Sequence, residues 1–418
     1  MQALVEDDTG QTPSWLRSQA DADAARAKVS MLLEGGLTRS EAVQIALVND
    51  PRLQAQLDQL GLARANYVQA GLFTNPQLGA FIGFPLRLDG SAITLLTFLS
   101  DLWVVPARQA VAEATLQGTI QQAASAAVQT IFEAQQAYDT VLYREALLAL
   151  EREELELRRR SAERMKQASS REHTVRESAA SAGIGDQEIA SAQAVRDLAL
   201  ARHHLEQILN LPGRHLDVPF ADPLDEPSED AWSEDRAVDF ALERRLDLAA
   251  ARIKVEEARR RATLTRRSRL SQVGAGAGYN GDFGTDDDWG PAIAVTVPIF
   301  DWNQASLASA AFQEMQSRHQ LAALEASARR EVADAMAERQ LQRSQAEIFR
   351  TEVLPARAWV LAQAPPEGPR DLAEYLHWLQ EQSDAIDSRR SYVNAVWSLR
   401  QAQSDFERAL YGGAVGTP

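Results

Sequence analysis

The chain has 418 residues, a formal net charge of −16, 24% charged residues and no cysteine. That balance excludes nucleic acid as a natural partner, because neutralising phosphate requires a basic surface, and the missing cysteines exclude disulfides and thiolate metal sites. No run of 18 apolar residues occurs, so a transmembrane helix is excluded, and MQALVEDDTG lacks a signal peptide's charged and apolar regions, which leaves a cytosolic or a mature chain.

In chain order, an N-terminal segment (1–36) precedes a first repeat (37–210). Thr38 with Glu41 three residues on is a capping box, and Pro51 opens a second helix that reaches about Gly71. Strands follow near 77–84 and 91–100, joined by a polar turn with Leu88, Asp89 and Gly90; SAITLLTFLS, in the second, alternates poorly. From about Pro106 a helix interrupted only by Gly118 heads toward Ala182. At ~1.5 Å per residue it would run on the order of 110 Å. SAGIGDQ (181–187) is expected to break it into a tip, and a return helix ends at NLPG. A proline-rich acidic connector (211–235) is expected to pack beside the helices near their middle.

The order then repeats over 236–411. Glu41–Phe84 lies over Arg236–Tyr279 without a gap at an offset of 195, with identities including Ala42/Ala237, Ala46/Ala241, Leu53/Leu248 and Gly79/Gly274. The second copy predicts strands near 271–279 and 292–300, a long helix from about Asn303 to Ala362, a tip near 364–371, a return helix to about Tyr411, and a tail (412–418). Ile131, Ala134, Tyr138, Leu142, Ala146 and Ala149 show the three-and-four spacing of helices that pack side by side.

SQVGAGAGYNGDF interrupts this helical composition. Gly276, Gly278 and Gly281 fit G-x-G-x-x-G, but the acidic turn DFGTDDDWG follows where a dinucleotide fold needs a helix N-terminus. A strand of period two accounts for the stretch, with Val273, Ala275, Ala277 and Tyr279 on one face and Gly274, Gly276 and Gly278 on the other. In the last strand Ile293, Val295, Val297 and Ile299 oppose Ala292, Ala294, Thr296 and Pro298. An apolar outside and a small inside suit a transmembrane barrel; a soluble sheet with one buried face is the other reading. Four strands cannot close a barrel, since roughly eight is the practical minimum, so closure requires two or three copies.

LTRSEAVQIALVNDPRLQAQ, IAVTVPIFDWNQ, the tip-like SAGIGDQEIASAQAVRDLALARHHLEQILNLPG and the duplicated helix-strand-strand-helix order resemble the TolC-type outer-membrane efflux family over about Leu37 to Gly412. The first helix is similar to the family's heavy-metal branch. The resemblance implies a mainly α fold with a small β part: a homotrimer whose twelve-stranded barrel, four strands per chain, crosses the outer membrane of a Gram-negative bacterium. A helical tunnel would continue it through the periplasm. It implies partners too, namely outer-membrane lipid, a periplasmic adaptor (membrane fusion protein) and an inner-membrane pump of the resistance-nodulation-division class. The function implied is a passive exit duct for metal cations or other small molecules. A soluble coiled-coil periplasmic scaffold or adaptor with a small sheet is the alternative.

On that resemblance Gly274, Gly276 and Gly278 face the lumen and keep the wall thin. Asp371 and Glu374, just after the second tip, are the candidate periplasmic gate. Asp186 and Glu188, after the first, are second candidates; three copies would form acidic rings that attract cations. The plain alternative for both pairs is a carboxylate complementing a helix dipole. Trp289 and Trp302 flank the last strand and Trp103 follows the second, as in an aromatic girdle. ARRRATLTRRSR (258–269) sits where it would meet lipid head groups or form a salt-bridged face. His173, His203, His204, His215, His319 and His377 are scattered, and no Ser-His-Asp set or nucleotide loop occurs. No metal site, no cofactor and no catalytic residue is expected.

Overall fold

The computed structural model describes residues 2, 12–83, 87–167, 173–211, 218–228, 232–270, 273–282, 286–296, 302–363 and 372–412. In order these form α1 (Gln19–Leu32), α2 (Arg39–Asn49), α3 (Pro51–Ala70), β1 (Gln77–Gly83), β2 (Arg87–Phe98), α4 (Asp101–Gln167), α5 (His173–Ile208) and α6 (Glu234–Arg244). Then come α7 (Leu246–Arg267), a single 3₁₀ turn (Ser268–Leu270), β3 (Val273–Asp282), β4 (Asp286–Val295), α8 (Gln304–Ile348), a π-helical turn (Phe349–Val353), α9 (Leu354–Ala362) and α10 (Leu372–Tyr411).

The duplication is physical. Thr38 caps α2 through Glu41, and Ser233, its counterpart 195 residues on, caps α6 by accepting from Arg236 N–H. Both helices end in a residue that leaves the helical conformation, Asp50 and Arg245, before the next helix starts. Each is 3% exposed and held differently: Asp50 accepts from Thr130 Oγ1 at 3.0 Å, while Arg245 donates to the Ala409 carbonyl at 3.0 Å and to Glu331 at 2.9 Å. Replacing Thr38 with Ala removes an acceptor for the Glu41 N–H and is expected to cost about 1 kcal/mol, read as a lowered thermal midpoint.

The chain forms two compact units. The first (1–54, 124–245, 328–418) is helical, with its core around Ala237, Ala241, Val332 and Phe406 and a second cluster around Leu150, Leu157, Leu379 and Ile386. In it the connector forms a parallel bridge, Leu37 to Phe220, and Tyr138 Oη donates to the Leu37 carbonyl at 2.8 Å. The second unit (55–123, 246–327) holds the antiparallel sheet, order β1-β2-β3-β4.

Four sequence expectations are corrected. α4 begins at Asp101 rather than near Pro106: Thr74 N–H donates to Asp101 Oδ2 and Val104 N–H to the Ser100 carbonyl, so the first turn is fixed before the proline arrives. Residues 181–187 are no tip but lie inside α5. Glycine costs a helix only about 1 kcal/mol, and antiparallel contacts with α4 hold the segment from its C-terminal end. Gln187 donates to Glu151 at 2.6 Å and Arg202 to Glu145 at 2.7 Å, pairs that straddle residues 168–172, outside the described residues. Positions 88–90 lie inside β2, not in a turn, and β4 begins at Asp286 and ends at Val295, with 297–300 outside the described residues, because Asp286, Asp287 and Asp288 pair with Asp282, Gly281 and Asn280 in place of forming an external loop. The second tip, 364–371, and most of the tail lie outside the described residues; Arg357 meets Glu381 and Asp384, each at 3.4 Å, on either side of that segment. Pro355, which lacks an N–H, follows directly on the π turn, where the helix widens.

Candidate membrane face and channel residues

The sheet register builds one continuous face. Leu78 pairs with Leu95, Leu95 with Ala277 and Ala277 with Pro291; one step along, Ala80, Ile93, Tyr279 and Trp289 form the same cross-strand row, and on the other side Thr97, Ala275 and Ile293 form another. Strand geometry sends these alternate side chains to one side. Leu78 is 75% exposed, Ile293 77% and Trp289 74%; Ile93, Leu95 and Val295 are exposed as well. A soluble sheet would cover such a face, yet among the described residues every substantial contact of a strand is with another strand. That exposure favours the barrel reading over a sheet with one buried face. β2 contributes fully despite its poor pattern, with Ile93, Leu95, Thr97 and Leu99 exposed in alternation; both of its faces are apolar or small, so period alone could not show it.

Gly274, Gly276 and Gly278 occupy the opposite face, with Ala292 and Ala294 beside them. They are not equivalent. A Cβ on Gly276 would lie 1.7 Å from the Leu95 carbonyl oxygen and 3.0 Å from Leu96 Cα, whereas one on Gly278 would meet nothing closer than 3.8 Å. Gly276 is thus required by the close approach of β2 and β3.

The remaining candidates are scattered. Trp289 sits within β4, its ring 5.2 Å from Tyr279, rather than at the strand's end. Trp302 is 61% exposed just before α8, and Trp103 is half-buried in the first turn of α4. Asp186 and Glu188 are exposed in the interior of α5, not after a tip, and Glu188 accepts from Arg159 at 3.0 Å. Glu374 is exposed in the first turn of α10; Asp371 lies outside the described residues. His203 and His377 face Glu206 and Glu381 within their own helices. No metal-ligand cluster occurs among the described residues. Among the described residues no helix is long and apolar enough to cross a membrane.

The described residues thus combine an antiparallel sheet of four strands, exposed and apolar on one face, with long paired helices. Residues 237–410, almost the whole second repeat, match the family model described as outer membrane efflux protein. Among solved structures, a membrane protein from Pseudomonas aeruginosa aligns at TM-score 0.72 and 20% identity, covering 89% of this chain and 93% of its own. CusC, described in connection with transmembrane channel formation, gives 0.72 and 19%, covering 90% and 92%. The open-state MtrE outer membrane channel of Neisseria gonorrhoeae gives 0.70 and 19%, covering 90% and 89%. No curated protein matches by sequence. The resemblance to the TolC-type outer-membrane efflux family is borne out, by sequence in the second repeat and by fold over most of the chain.

Proposed function

We propose that the chain is one of three copies forming the exit duct of a tripartite efflux system in a Gram-negative outer membrane. The observation that carries this is the exposed apolar face on a sheet whose β1 and β4 edges are open. β3 and β4 are ten residues each, the length of a tilted membrane-spanning strand. Because the sheet is antiparallel with an even number of strands, β1 of one copy can continue β4 of the next and close twelve strands. Cargo arrives through a periplasmic adaptor from an inner-membrane pump of the resistance-nodulation-division class, and passes without energy input from the duct. Gly274, Gly276 and Gly278 then line the lumen, and Asp371 and Glu374 ring the periplasmic aperture. The net charge of −16 favours cationic cargo such as metal ions.

The test is the mass of the detergent-purified protein together with its conductance in a planar bilayer. A trimer giving discrete, cation-preferring steps is expected, and Asp371→Asn with Glu374→Gln should lower cation preference about twofold or more. A detergent-free monomer without conductance overturns the duct, and a trimer whose selectivity ignores the double substitution removes the gate assignment.

A further inference from the structure

We infer that the last turn of α7, with the apolar collar beside it, binds the phosphodiester head groups of anionic phospholipids on the helix side of the membrane. This rests on the barrel reading above. Residues 258–269 hold six arginines and no acidic residue, in a chain that is otherwise strongly acidic. The structure divides the six. Arg259 faces Glu256 at 3.8 Å, Arg260 bonds Glu256 at 2.9 Å and Glu113 at 2.8 Å, and Arg261 bonds Glu257 at 2.9 Å. These three form the salt-bridged face that the sequence allowed.

Arg266, Arg267 and Arg269 are exposed, and among the described residues none meets a carboxylate; Arg267 donates only to the Trp103 carbonyl, at 3.3 Å. Their place in the fold is specific. Asn303 Nδ2 donates to the Thr265 carbonyl at 3.4 Å, which sets Trp302 beside the turn that carries Arg266. Leu99 N–H donates to the Val273 carbonyl at 2.8 Å, fixing the end of β2 against the start of β3, three residues beyond the 3₁₀ turn. Leu99, Leu102 and Trp302 are 41%, 65% and 61% exposed. Three guanidinium groups with no carboxylate partner among the described residues therefore border exposed aliphatic and indole side chains where the apolar sheet face ends.

That order, acyl-compatible surface, indole and then cations, is the order of chemistry through a lipid from chain to head group. Arginine suits the phosphodiester because its planar donors bind two phosphate oxygens at once. Uncharged or zwitterionic head groups gain less, since the choline or ethanolamine cation is repelled by the same arginines.

The protein would be reconstituted into nanodiscs of phosphatidylcholine doped with phosphatidylglycerol, and the lipid retained per protein after extraction into detergent measured by mass spectrometry. Wild type should retain phosphatidylglycerol in excess, with the excess falling as salt rises. Arg266→Gln with Arg269→Gln should reduce that excess on the order of tenfold, while Arg259→Gln with Arg261→Gln should leave it unchanged. Equal retention by wild type and the Arg266/Arg269 variant, both inserted as trimers, overturns this site and leaves the duct standing. Failure to enter the discs at all overturns the duct itself.

Discussion

Gly276→Ala should prevent assembly of a stable trimer, whereas Gly278→Ala should assemble and conduct normally. The added methyl at 276 would stand 1.7 Å from the Leu95 carbonyl oxygen and 2.8 Å from its carbon, both backbone atoms, so relief requires β2 and β3 to separate. The register around it, Leu95 with Ala277 and Leu96 with Gly276, would be lost with it. Overpacking ordinarily costs about 1–3 kcal/mol, and a backbone collision belongs at or beyond the upper end. At 278 the nearest atom, the Ile93 carbonyl oxygen, is 3.8 Å away, ordinary contact. The measurement is the trimer fraction in detergent and its heat resistance, with conductance for whatever assembles. If the glycines served only to widen a lumen, both variants would assemble and both would conduct less. That outcome would remove the close-approach argument.

The contrast between those glycines shows how far sequence reaches. Alternation at 273–279 was legible because glycine and larger residues separate cleanly by parity. Which glycine the fold requires was not, because that depends on Leu95, 181 residues earlier, arriving across the strand. The Thr38–Glu41 capping box and Pro51 locate α2 and α3 because they act within four residues. The break expected at 181–187 fails for the opposite reason: glycine's local preference is weak, and a contact such as Gln187 with Glu151 on α4 decides whether α5 continues there. Strand ends shifted for a similar cause, since Asp286, Asp287 and Asp288 read as a solvated turn until β3 supplies their backbone partners. The exposed apolar face is only half visible in the sequence, as β2 is apolar or small on both sides and shows its exposed face only through its neighbours.

The largest effect on the helical unit should come from Arg400→Leu. Arg400 on α10 bonds Asp139 on α4 at 2.7 Å and donates to the connector's Asp225 and Pro223 carbonyls at 2.8 and 3.1 Å, so one side chain ties three segments. Asp139 is 2% exposed at its side chain, and its other partner, Arg39 at 3.2 Å, is 38% exposed. Removing one member of a buried pair costs about 3–5 kcal/mol when the other is left uncompensated, and here only the partly exposed Arg39 remains beside Asp139, so the loss should approach the lower end of that range. Asp139→Asn should cost less. Burial raises the Asp139 carboxyl above its ordinary value, and Arg39 and Arg400 do not fully offset it, while Asp222 adds to the rise. The charged form is therefore the costly one to bury, and Asn keeps an acceptor for Arg400. The pH dependence has a definite sign. With its folded value above its unfolded one, Asp139 takes up a proton in the native state first, so its own contribution to stability grows as pH falls from neutral through the raised value and levels off below the unfolded 3.8. Wild type should thus gain on Asp139→Asn in thermal midpoint as the buffer is taken from pH 7 to mildly acidic. A wild type that loses ground to Asp139→Asn on acidification, or an Asp139→Asn that unfolds as readily as Arg400→Leu at neutral pH, would show that the arginines outweigh burial and that the carboxylate stabilises the fold as an ion.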